Sequence, residues 1–402
     1  MLKRTLSIFL TVGLIFFTGC NSEVIVKTND ETSIPSNSAG VTITRDMIDN
    51  FGGYSTHANL LMDSMKEEFW MTWEDKMSET PGSTTPVTLW GYAAYMEAAG
   101  LRLEADPTDE AAKTEYLKAL NSVEKYRAVW RTDDLQVYQC WADVTQAECF
   151  YDDDIWLVIE FLNAYELLSD SHWLEQAKGT AEFCYSGWDD KQGGGVYWRE
   201  DDKASKNTCS NAPLAWASAL LYKATNEQKY LDWAEKIYDW TKTTLLDTSD
   251  YLYFDNINLE GNVDKAKYTY NVGNMIGAGA ELYGITNKAE YLEDAKKSAE
   301  GAYKVFGTAK PVPNMTEEIY VCESNSWFGG SLLKGYMALG IADTETDAKY
   351  VNSYRECLAY ASIITVDPRG YMSVGWITSE MITKPSLLDQ SGNARLLYLC
   401  AE

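Results

Sequence analysis

Histidine is almost missing from this chain. His57 and His172 are the only two in 402 residues, and His172 lies in the polar turn SDSHW. A Ser-His-Asp triad or a multi-histidine metal site therefore has almost nothing to draw on. Cysteine is sparse too. The eight residues are widely spaced, with no CxxC pair. That argues against a zinc site or a disulfide scaffold, while the seven after Cys20 leave room for one or two bridges. Positive charge is in short supply: 34 Lys and Arg face 60 Asp and Glu, a formal net charge of -26. Such a surface repels nucleic acid and anionic lipid, and leaves a neutral ligand as the natural partner. Past the first twenty residues, no apolar run is long enough to cross a bilayer.

The N-terminus, MLKRTLSIFLTVGLIFFTGC, combines a basic start at Lys3 and Arg4, an apolar run from Leu6 to Phe17, and small residues before Cys20. Residues 1–19 are expected to be a cleaved signal peptide. The Phe-Thr-Gly-Cys ending resembles a bacterial lipobox, which implies a lipidated Cys20; Phe17 departs from the smaller aliphatic residue usual there. Residues 20–45 are polar and poor in large apolar groups, so they read as a flexible tether. Together these features place the protein at the cell envelope, on the surface or in the periplasm. It would touch the membrane only through its anchor.

The remainder, 46–402, is patterned as helix almost throughout. One segment recurs as EYLKALNSVEKY, HWLEQAKGTAEF, KYLDWAEKIYDW, EYLEDAKKSAEG and KYVNSYRECLAY, an aromatic-aliphatic pair opening an amphipathic, charge-rich helix. The aromatic positions Tyr116, Trp173, Tyr230, Tyr291 and Tyr350 recur 57, 57, 61 and 59 residues apart. One period earlier lies YSTHANLLMDSMKEEF. Between these helices are six of another character, with few charges and many small and apolar residues: LWGYAAYMEAA, DIWLVIEFLNAYEL, SNAPLAWASALLY, YNVGNMIGAGAELYG, NSWFGGSLLKGYMAL and LLDQSGNARLLYL. These read as helices buried on nearly all sides. Six outer helices alternating with six inner ones predict an all-α (α/α)₆ barrel, twelve helices in one domain. An open solenoid is the alternative, though the ends lack polar capping repeats. In a closed barrel the inner helices converge their N-terminal starts on one face, so a cleft is expected there.

The strongest local signal is CFYDDDIWLVIEFL, three consecutive carboxylates before an apolar helix. Acidic residues at a helix start can simply cap free N–H groups and favour the dipole. A calcium loop would spread its oxygens over alternating positions. The chemical reading is a pair of carboxylates flanking a glycosidic bond, one protonating the leaving oxygen while the other attacks carbon or activates water.

The run Tyr151-Asp152-Asp153-Asp154-Ile155-Trp156 resembles the Tyr-Asp-Asp-x-x-Trp signature of glycoside hydrolase family 76, the bacterial and fungal α-1,6-mannanases. Gly193-Gly194-Gly195-Val196-Tyr197-Trp198 is similar to that family's triple-glycine loop, Lys206-Asn207-Thr208-Cys209-Ser210-Asn211 to its Lys-Asn-x-x-x-Asn segment, and Tyr268-Thr269-Tyr270-Asn271 to its Thr-Tyr-Asn motif. The four stand in the family's order over the middle of the chain. The resemblance implies a retaining endo-acting mannanase of (α/α)₆ fold; beside it, α-mannan as the partner, a monomer and no cofactor or metal are expected. Asp152 and Asp153 would be its catalytic pair, with Asp152 as nucleophile and Asp153 as general acid/base. Asp154 stands where the family varies, and a frame one residue later, Asp153 with Asp154, stays open.

Candidate sugar-binding residues are Trp90, Tyr151, Trp156, Gly194, Gly195, Tyr197, Trp198, Asn207, Asn211, Tyr270, Asn271, Asn325 and Trp327. The plainer readings stand beside them: a tight turn for the glycines, helix caps for the asparagines, core for the tryptophans. Two other classes remain. One is a lipid-anchored glycan-binding protein without catalysis, although such helix-pair repeats usually run shorter. The other is a different (α/α)₆ enzyme, disfavoured by the shortage of histidine for epimerisation and of arginine for uronates.

Overall fold

The computed structural model describes residues 25–27, 33–35 and 42–401, apart from 73, 323, 365–366, 374 and 378–381. Cys20 and the signal segment lie outside the described residues. Within the expected tether, Ile25–Lys27 and Ser33–Pro35 pair antiparallel.

The two kinds of helix in the sequence become two concentric rings. After the single turn α1 (Arg45–Asp49) come α2 (Tyr54–Glu68), α3 (Leu89–Ala105), α4 (Glu110–Ser122), α5 (Tyr151–Leu168), α6 (Ser171–Ser186), α7 (Thr208–Thr225) and α8 (Gln228–Leu245). Then follow α9 (Thr269–Thr286), α10 (Ala289–Val305), α11 (Ser326–Ala342), α12 (Thr344–Ile364) and α13 (Leu387–Ala401). The odd-numbered helices from α3 to α13 are buried nearly all round, as in α7, where even Ser210, Asn211 and Ser218 lose all contact with solvent. The outer helices are buried on one stripe only, as α10 is through Tyr291, Ala295, Ser298, Ala299 and Ala302.

Each inner helix packs on the next, and α13 packs on α3. That last contact closes the ring, so the open solenoid is excluded and the (α/α)₆ barrel stands. Each inner helix also packs on the outer helix that follows it, α13 doing so with α2 from the start of the chain. The two ends of the barrel are thereby stitched together by hydrophobic burial.

The ends of the barrel differ. Inner helices α5, α7 and α9 stop at Ser169, Asn226 and Asn287, each in the left-handed conformation, and the next outer helix starts two residues later. A left-handed residue satisfies the last carbonyls and turns the chain at once. At the other end, where the inner helices begin, the connections are long. They carry short hairpins such as Gly307–Pro311 with Glu318–Cys322, and the small sheet of Ser205–Asn207, Asn256–Asn258 and Val263–Asp264. Long loops over one face of a rigid ring are where function gathers.

His57 is a core residue of α2. Its Nε2 donates to Gly370 O at 2.8 Å and its Nδ1 faces Ser362 Oγ at 3.1 Å, and burial lowers its pKa to about 4. All seven described cysteines are buried, and none of the bridges left open by the sequence forms among them.

Candidate active site

Helix α5 begins on the loop-bearing face. Asp152 and Asp153 occupy its first turn, half-buried, whereas Asp154 is fully buried. The helix presents its free N–H groups here, and those of Asp152 and Asp153 support the Asp152 carboxylate. The three then diverge in environment. Burial pushes Asp152 up, to about 6, against hydrogen bonds from the Cys209 thiol, the Trp198 indole and the backbone. Asp153 has no such donors, and burial followed by the charge of Asp152 holds it well above the usual carboxylate range. Asp154 points away, its Oδ1 accepting Tyr138 N–H at 3.0 Å. Burial lifts its pKa as well. With no opening to the cleft, Asp154 is a structural acid, and Asp152 with Asp153 is the pair that a ligand can reach.

The triple-glycine segment supplies a brace and one arm. Tyr151 N–H donates to Trp198 O at 2.9 Å and Trp198 N–H to Ser205 O at 3.1 Å, so residues 196–199 are tied on both sides. The Trp198 ring packs on Phe150 at 5.0 Å, and its Nε1 donates to Asp152 Oδ2 at 3.2 Å. At 40% exposure it is the open aromatic beside the carboxylates.

The rest of the segment faces inward, which corrects several expectations. Gly194 and Gly195 have φ of 138° and 86°, and a Cβ on them would lie 2.4 Å from Trp188 and 2.5 Å from Trp240. They are glycines for packing and backbone geometry, not for sugar contact. Tyr197 is buried, its hydroxyl donating to Asp189 at 2.8 Å. Asn211 pins the loop, accepting from Val196 N–H and donating to Val196 O and Asn207 O. Asn207 accepts from Ser205 Oγ at 2.7 Å. Lys206, wholly buried, donates to Asp189 and to the carbonyls of Lys191 and Gly194, and burial lowers its pKa. A loop full of inward-facing carbonyls needs such a cation at its centre.

Four more candidates also turn inward, and a fifth, Asn325, is a helix cap. Tyr151 stacks on Phe183 of α6 at 4.8 Å, between the two rings of helices. Asn271 is fully buried, its Nδ2 reaching Asp255 Oδ1 at 3.5 Å. Trp156 and Trp327, 7% and 2% exposed, meet edge to face at 5.6 Å on the barrel axis. They form a floor beneath the mouth instead of a platform in it. Asn325 caps α11, accepting from Phe328 N–H at 2.8 Å.

Tyr270 and Trp90 belong to an aromatic strip that the sequence reading only half found. Tyr270 stacks on Phe328 at 4.1 Å, Phe328 lies 6.1 Å from Trp90, and Tyr268, 40% exposed, sits against both Tyr270 and Phe328. The strip joins α3, α9 and α11 along the mouth. Phe328 and Tyr268 had no marker in the chain beyond adjacency to a motif. Neither did Cys209, which burial keeps protonated and which joins Asp152 to Tyr270.

The model of glycosyl hydrolase family 76 matches residues 54–363. The chain belongs to that family. Among solved structures, a family 76 glycoside hydrolase from a bovine Bacteroides thetaiotaomicron strain superposes with a TM-score of 0.80 at 25% identity, over 87% of this chain and 77% of the other. An inactive variant of an α-1,6-mannanase from a Salegentibacter species, with two adjacent aspartates replaced by alanine and α-1,6-mannotetrose bound, aligns with a TM-score of 0.73 at 24% identity, over 87% of this chain and 98% of the other. A putative mannan endo-1,6-α-mannosidase of Schizosaccharomyces pombe is 30% identical over 210 residues, 48% of this chain and 47% of its own length. The chain spans between a quarter and a half of the length of the first curated relatives it matches.

Proposed function

We propose that this family 76 protein is an endo-acting, retaining glycoside hydrolase that cuts α-1,6-mannosidic linkages in mannan backbones. Asp152 attacks the anomeric carbon while Asp153 gives its proton to the departing glycosidic oxygen. Asp153 then takes a proton from water, whose oxygen displaces Asp152 and frees the second product. The observation that carries this is the unequal pair at the mouth of α5: donors keep Asp152 the readier to ionise, and the isolated Asp153 keeps its proton. The aromatic strip and Trp198 supply flat faces for pyranose rings on either side. In the neighbouring Salegentibacter mannanase, replacing two adjacent aspartates leaves an inactive protein with an α-1,6-mannoside bound, which agrees with the same assignment. The N-terminal lipobox resemblance supports a protein held at the cell envelope through a lipidated Cys20.

The test is incubation of the full chain with unbranched α-1,6-mannan, following products by chromatography. Short manno-oligosaccharides retaining the α configuration are expected, and none with Asp152→Asn. β-Configured products would overturn the retaining mechanism, and an inert polymer would overturn the substrate. Ionised Asp152 with protonated Asp153 also predicts a bell-shaped pH profile of kcat/KM with its acid limb near 6.

A further inference from the structure

The barrel axis is not solid below the mouth. Trp156 of α5 and Trp327 of α11, on opposite sides of the ring, meet across the axis and partition it. Beneath them lies a cavity of about 180 Å³. A second of about 260 Å³ shares Glu97, Asn163, Trp216, Glu281 and Lys334 with it. The second reaches Glu104, Glu166 and Ile341 on the last turns of α3, α5 and α11, so the space opens at the end opposite the catalytic pair. Glu160, which walls it, lies eight residues past Asp152, about 12 Å deeper along α5.

This space is lined unlike a packing defect. Genuinely empty cavities are apolar, whereas here Lys334 and Arg395 both pair with Glu97, at 2.8 and 3.0 Å, and the Arg395 guanidinium lies over the Trp327 ring. Buried charges cost stability, and mannan cleavage at the other end gives them no task. Trp216 and Glu160 of its lining, both more than nine-tenths buried, each have an atom without a hydrogen-bond partner, Nε1 and Oε2. Burial keeps Glu160 protonated, so both offer a hydrogen.

We infer that this axial cavity is a second carbohydrate site, which takes a single neutral sugar ring from the face opposite the catalytic cleft. The paired cations leave no place for a cationic ligand. The glutamates of the entrance and the overall charge of -26 oppose an anion. Indole faces with in-plane carboxyl, carboxamide and guanidinium groups are the set that holds a ring of vicinal hydroxyls. The combined space suits one ring and not a chain. This goes beyond mannan cleavage and does not depend on it.

Calorimetric titration of the full chain with D-mannose, D-glucose and D-galactose tests it, with thermal melting to confirm that each variant folds. At least one hexose is expected to bind. That binding should survive Trp198→Ala at the cleft and weaken about tenfold in Trp216→Phe, the loss of one hydrogen bond. It should vanish in Ala338→Trp, which fills the entrance. Absence of binding by all three sugars overturns the inference. So does binding that is lost in Trp198→Ala and unchanged in Trp216→Phe and Ala338→Trp.

Discussion

Two motif-bearing segments meet at the mouth of α5, and they use their residues in opposite ways. In the YDDDIW segment the carboxylates of Asp152 and Asp153 stay within reach of a ligand, while their neighbours Tyr151, Asp154 and Trp156 anchor the helix into the barrel. In the GGGVYW and KNTCSN segments almost everything is anchor, and only Trp198 and Cys209 reach Asp152. A recurring motif therefore mixes two demands, reactivity and rigidity, and only the contacts separate them. A site held by a braced loop keeps its geometry without relying on the loop's own flexibility.

The comparison breaks most sharply at the carboxylates. Asp152→Asn and Asp153→Asn should each lower kcat on α-1,6-mannan by about a thousandfold or more, with melting temperatures close to the parent. A loss confined to one of them would separate the pair. The brace should fail in the other currency. Lys206→Met strands Asp189 and three inward carbonyls, and should cost about 3 kcal/mol of stability by calorimetry. Gly195→Ala, forced against Trp240 at positive φ, should cost about 2–3 kcal/mol.

Trp198→Phe tests the indole link between the brace and Asp152. It removes the donor to Asp152, so kcat should fall about tenfold, and the acid limb of the pH profile should move to higher pH, because the ionised form of Asp152 loses support. The smallest effect belongs to Asp154→Asn, which should leave turnover within about twofold of the parent. Its readout is stability against pH. The native state holds the Asp154 proton well above the ordinary range, whereas the unfolded chain releases it near about pH 4. Its contribution is therefore whole below that pH and is lost as pH rises, and the variant should flatten this decline. A steep loss of turnover in Asp154→Asn would shift the catalytic pair by one residue.

The barrel was legible because its signal is periodic and repeated. Tyr116, Trp173, Tyr230, Tyr291 and Tyr350 mark outer helices at one spacing, and the uncharged stretches between them can only be inner. The candidate pair was legible as part of three consecutive acids at a helix start, but which two face the cleft was not. That depends on Tyr138 N–H arriving from another loop to claim Asp154. Asn211, Tyr197, Trp156 and Trp327 carried the right chemistry for sugar binding and turned out to face inward. Polar and aromatic groups look the same in a chain whether they meet a ligand or satisfy a neighbour. Phe328 and Tyr268, ordinary in the sequence, became part of the cleft because α9 and α11 pack side by side.

By itself, then, the sequence determined the alternation of helices, the number of helix pairs and the place where acids gather at an inner-helix start; the packing of α13 on α3 is what closed the ring. The first three follow from local periodicity and from the hydrophobic effect acting on every turn alike. The tertiary structure alone decided that Asp152 and Asp153 are unequal, that Trp198 reaches one of them, and that an indole pair divides the axis into a cleft and a charged cavity. Those features arise where side chains far apart in sequence share one small, poorly solvated space, and there the energy of a group depends on its neighbours more than on its own identity.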